Sequence, residues 1–131
     1  MRAARKLIAG ATCGLAAIAV AVPASAAAAP APRITLIYGG LQVSGIELLA
    51  SFTYCDGSAR PARFRHLVRA YDRDDRLIGR RVTARLNRNS RCTSITALSV
   101  PTGNSVARSF SVKVTNLKTG RATTRRTTSI L

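Results

Sequence analysis

From Ile34 onward the chain alternates short apolar runs with turn residues about every ten positions, the spacing of an all-β sandwich. The runs are ITLIY at 34–38, extending toward Val43; IELLASFTYC at 46–55; FRHLVRAY at 64–71; RLIGRRVTARL at 76–86; CTSITALSV at 92–100; VARSFSVKVTN at 106–116; and RATTRRTTSI at 121–130. Turn clusters such as CDGSARP, LNRNS, VPTGNS and NLKTG separate them. Two runs alternate cleanly, with Ile46, Leu48, Ala50, Phe52 and Tyr54 on one face, and Val106, Phe110, Val112 and Val114 on another. These two strands are the expected heart of the core. The threonine-rich last run reads as an exposed strand that closes a hairpin through Asn116 to Gly120.

The predicted fold is a small immunoglobulin-like β-sandwich of about seven strands with one disulfide. In that order the second and fifth strands lie side by side and antiparallel in one sheet. Cys55 ends the second run and Cys92 begins the fifth, so the layout brings them together. This differs from the inter-sheet bridge of antibody domains, and the chain has no tryptophan to pack on such a bridge. Closing a loop of roughly 38 residues stabilises a fold by roughly 4 kcal/mol through the entropy of the unfolded chain.

Residues 1–26 have a different pattern. Arg2, Arg5 and Lys6 precede an apolar run from Leu7 to Val22, then Pro23 and the small residues Ala24, Ser25 and Ala26. That order predicts a cleaved secretory signal peptide, and hence a secreted or envelope-associated protein with no membrane span after cleavage. Cys13 follows Thr12 where a lipoprotein site would carry a small Gly or Ala. Residues 27–33, AAAPAPR, read as a disordered or extended lead, leaving 34–131 as a single domain. An even pair of cysteines in an exported chain is expected to be oxidised.

Charge sharpens the picture. The whole chain carries +16, and removing Arg2, Arg5 and Lys6 leaves 18 cations against five acids, about +13. All but Lys113 and Lys118 of those cations are arginine. The densest segment is RHLVRAYDRDDRLIGRR at 65–81. A helix would interrupt its own apolar face with Asp74 and Asp75, so a hairpin turning at Arg73 and Asp74 is preferred, with Tyr71 opposite Arg76 and Arg69 opposite Ile78. Under either geometry Arg65, Arg69, Arg76 and Arg80 share one face. They are the candidate polyanion-binding residues.

The inventory argues against other chemistry. His66 is the single histidine, it alternates with Phe64, Val68 and Ala70, and no nucleophile motif surrounds any serine. It is expected to be a packed strand residue, and no catalytic residue, enzyme activity or cofactor is assigned. Asp72, Asp74 and Asp75 lack the glycine and distal glutamate of a calcium loop and have Arg73 and Arg76 among them; no metal site is expected. No helix-turn-helix, zinc or aromatic stacking motif for reading nucleic acid is present, so any attraction to nucleic acid would be nonspecific. The expected function is a non-catalytic binding domain for anionic extracellular or envelope polymers. The alternatives are a protease inhibitor presenting Arg88 and Arg91 in the loop before Cys92, and a structural envelope protein without a ligand.

Overall fold

A computed structural model describes residues 30–42, 47–57, 61–87 and 91–131. Residues 1–26, expected to be a signal peptide, most of the Ala/Pro lead, Ile46 and Arg88 therefore lie outside the described residues. Every extended element among those described is a β-strand: β1 Arg33–Leu41, β2 Glu47–Cys55, β3 Ala62–Tyr71, β4 Leu77–Asn87, β5 Cys92–Pro101, β6 Ser109–Asn116 and β7 Ala122–Thr127. The four-stranded sheet runs β7-β6-β3-β4 and the three-stranded sheet runs β1-β2-β5, with every neighbouring pair antiparallel. The seven expected runs are the seven strands.

Strict alternation on β3 turns Ala62, Phe64, His66, Val68 and Ala70 inward. They meet Ile34, Ile37, Leu48, Ala50, Phe52 and Tyr54 from the facing sheet, with Phe110, Val112 and Val114 of β6 completing the core. Burying each Val, Leu, Ile or Phe among them contributes roughly 1.5–3 kcal/mol, which is why the period-2 pattern decides the fold. Val106, expected in this set, is instead exposed and precedes β6. The turn through Gly103, which takes φ 66°, carries the chain past it before the ladder begins.

Cys55 and Cys92 are directly opposite one another in the β2–β5 register and form a disulfide, with Cα atoms 3.9 Å apart. Beyond them the Asp56 N–H donates to the Arg91 carbonyl at 2.6 Å. The bridge thus staples the open end of a ladder inside one sheet.

The sheets also meet along their sides. At one side the chain beyond β7 turns onto β1, where Gly39 N–H donates to Ser129 and Leu131 N–H donates to Gly39, and the Arg125 guanidinium reaches the Ile34 carbonyl. At the other side Arg81 of β4 donates to the Ser99 carbonyl of β5 at 2.8 Å. Gly79 makes this approach possible, since a Cβ there would stand 2.1 Å from the Pro101 carbonyl oxygen.

Candidate polyanion-binding face

The segment at 65–81 is a hairpin, but not with the expected register. Asp72 N–H bonds to the Arg76 carbonyl, leaving Arg73, Asp74 and Asp75 as a three-residue loop. One carboxylate oxygen of Asp72 accepts the Asp74 and Arg76 N–H groups, and Asp75 sits in the left-handed region at φ 62°, a conformation that aspartate tolerates. These N–H bonds, that from Arg76 first, hold the Asp72 carboxyl below its usual range. A bulge next to Tyr71 adds one more residue to β4. The longer loop and the bulge together shift the pairing by two positions, so Arg69 faces Arg80 and Leu67 faces Val82. A shift of two preserves which face each side chain occupies.

Arg65, Arg69 and Arg80 consequently do share the outer face of the four-stranded sheet, and all three are exposed. Arg76 does not join them. It lies at the hairpin loop, where its guanidinium pairs with Asp72 at 3.6 Å and Asp74 at 3.2 Å. Two cations not singled out from sequence complete the face. Arg63 continues the outward alternation of β3, a signal readable in the chain. Lys113 stands on β6 opposite Leu67, a placement that needs the β3–β6 register.

Three other strand arginines are put to structural use, one of them, Arg126, on this same outer face at the level of Arg69. Arg126 bonds Asp75 at 2.6 Å and Ser109 at 2.8 Å, and lies over the Tyr71 ring at 4.1 Å. Arg81 and Arg125 bond backbone carbonyls across the two sides of the fold. By contrast, Arg63, Arg65, Arg69, Arg80 and Lys113 make no ion pair or side-chain hydrogen bond to another described residue. Arg69 and Arg80 even face one another, an arrangement that costs stability unless an anion lies between like charges. Beside them Val82, Ala84 and Leu86 form an exposed aliphatic row on β4.

His66 lies on the opposite, inner face of the same strand. It is 1% exposed, with Nε2 2.8 Å from the Tyr54 hydroxyl and Nδ1 3.1 Å from the Thr83 hydroxyl. Burial, reinforced by the Arg85 charge, lowers its pKa to about 4, while burial pushes Tyr54 up to about 12. A hydrogen bond with Thr93 lowers that pKa in part. The hydrogen bonds run Thr93–Tyr54–His66–Thr83, and a neutral imidazole satisfies them in either tautomer, donating from one ring nitrogen and accepting at the other. The network lies in the core except at Thr83, which is half-buried.

Arg91 is exposed immediately before the disulfide, whereas its suggested companion Arg88 is outside the described residues. No group of three or more His, Cys, Asp or Glu side chains that could hold a metal comes together among the described residues. None of their helices is long and apolar enough to cross a membrane. No protein-family model matches the sequence, and no curated protein is similar enough to count as a relative.

Proposed function

We propose that this chain is a secreted, non-catalytic binding domain of immunoglobulin-like architecture whose outer basic face holds an anionic polymer outside the membrane. The observation that carries the reading is the contrast among cations. Arg76 at the hairpin loop and the two arginines of β7 are engaged in bonds within the fold, and Arg33, Arg73, Arg108 and Arg121 stand on separate elements, whereas Arg63, Arg65, Arg69, Arg80 and Lys113 gather on one sheet face with no ion pair or side-chain hydrogen bond to a described residue. The disulfide supports an oxidising compartment, and the strand order β7-β6-β3-β4 over β1-β2-β5 supports the immunoglobulin-like description.

The test compares two sets of four substitutions to glutamine with the same net charge. One set removes Arg63, Arg65, Arg69 and Arg80; the other removes Arg33, Arg73, Arg108 and Arg121, all exposed and none with an ion pair or side-chain hydrogen bond to a described residue. On duplex DNA used as a generic polyanion, the first set should flatten the slope of log affinity against log salt by up to about 3–4 units. The second should change it much less. Equal losses would mean diffuse attraction to a basic protein and would overturn the assignment. So would absence of polyanion retention by the unaltered protein at physiological salt, while stoichiometric inhibition of a trypsin-like protease would favour the loop at Arg91.

A further inference from the structure

The basic face has a spacing, and the spacing names a ligand. Alternate residues of a strand project on one side about 6.6 Å apart. On β3 the outward sequence is Arg63, Arg65, Leu67, Arg69. At the Leu67 level the cation comes from Lys113, directly opposite on β6, about 4.8 Å to the side. At the last level Arg69 is joined by Arg80, opposite on β4. Four successive levels each carry at least one cation with no ion pair to a described residue.

A polymer whose anionic groups recur every six backbone bonds matches this step. A peptide reaches at most about 3.3–3.6 Å per residue with three backbone bonds, so a six-bond repeat extends to about 7 Å. Poly(glycerol phosphate) and single-stranded nucleic acid both have such a repeat. Inorganic polyphosphate packs its charges far more closely, and a duplex presents one charge per about 1.7 Å of axis. What separates the two six-bond polymers is the base. Single-strand binders stack bases on free aromatic rings, yet the aromatic ring on this face, Tyr71, is covered by the Arg126 guanidinium at 4.1 Å. The row beside the cations, Val82, Ala84 and Leu86, offers aliphatic contact that suits backbone carbons.

Building on the polyanion-binding reading above, we infer that the face holds one extended poly(phosphodiester) strand without bases, of the poly(alditol phosphate) kind, laid along β3 with one phosphate at each of the levels of Arg63, Arg65, Lys113 and the Arg69–Arg80 pair.

The experiment is a calorimetric titration of the oxidised protein with oligo(glycerol phosphate) of two, four and eight repeats, alongside oligothymidylate of the same lengths, duplex DNA and polyphosphate at matched charge. Affinity should rise by more than about tenfold from two to four repeats and only by a small statistical factor from four to eight. The salt slope for four repeats should be near −2.8, and Lys113→Gln should flatten it by about 0.7. A Leu67→Lys change added to Lys113→Gln returns the cation to the same level and should restore binding. Thr124→Lys, which restores only the charge two strands from β3, should not. Polyphosphate binding equally well per charge, or no break at four repeats, overturns the phosphodiester assignment. It leaves the basic face standing if the Arg63, Arg65, Arg69 and Arg80 set still loses more than its control; equal losses overturn the face itself. Oligothymidylate binding more than about tenfold tighter than its glycerol counterpart would make the ligand a nucleic acid and overturn the absence of bases.

Discussion

The stability of the fold should depend on pH through one side chain. His66 is the single histidine of the chain, and folding moves its pKa from 6.5 to about 4, first through burial and then through the Arg85 charge. In the unfolded chain it takes up a proton near pH 6.5; in the folded chain it stays neutral until about pH 4. Between those values the unfolded state binds the extra proton, so stability present above pH 6.5 is lost as the pH falls and the loss is complete below about 4. A difference of about 2.5 pK units corresponds to a penalty on the order of 3 kcal/mol, a large share of a small domain's stability. The Asp72 carboxyl, held low by N–H bonds, acts below that window. Urea unfolding followed by circular dichroism at pH 7.5, 6.5, 5.5 and 4.5 measures the loss. His66→Phe strands the Tyr54 hydroxyl and should lower stability at pH 7.5 by about 1–3 kcal/mol, yet abolish the pH dependence. Wild-type stability equal at pH 7.5 and 4.5, or a slope that survives in His66→Phe, would refute the buried neutral histidine.

Three further outcomes follow from the geometry. Replacing Cys55 and Cys92 together by alanine should cost roughly 4 kcal/mol, read as a fall in the urea midpoint; an unchanged midpoint would show that the bridge constrains nothing. Gly79→Ala forces a methyl group against the Pro101 carbonyl, 2.1 Å from its oxygen, and should lower thermal stability by about 2 kcal/mol or more, whereas a neutral effect would mean that β4 and β5 do not close there. Arg80→Gln removes the like-charge contact with Arg69 and should raise stability by a few tenths of a kcal/mol at low salt, with the gain fading at high salt; destabilisation would show that Arg80 has a structural partner.

Most of the architecture was legible because period-2 burial is a strong signal. Phe64, His66, Val68 and Ala70 face inward as their alternation requires, and the expected adjacency of the second and fifth strands puts Cys55 against Cys92. The hairpin register was not legible. It turns on Asp75 adopting a left-handed conformation and on a bulge at Tyr71, local choices with no compositional mark. The faces survived this error because the shift was even. Idle and engaged arginines look alike in a sequence. Arg76 and Arg126 are bound by aspartates that only the folded loop brings near, and Lys113 joins the face through pairing with a strand distant in the chain. Val106 carried the right hydrophobic period but lay before the ladder began.

The exposed sides of β4 and β5 bear on how copies behave when crowded. Any long chain that gathers several copies raises their local concentration, the condition under which unpaired strand edges join into fibrils. Here Arg81 of β4 occupies the Ser99 carbonyl of its neighbour, Arg85 adds charge on the same side of that strand, and β5 is kinked where Ala97 takes φ 53° and its N–H is held by the Ser51 hydroxyl. Pro101 removes a donor at the end of β5. If the proposed polymer gathers several copies, these features are expected to keep them as separate domains and not one continuous sheet.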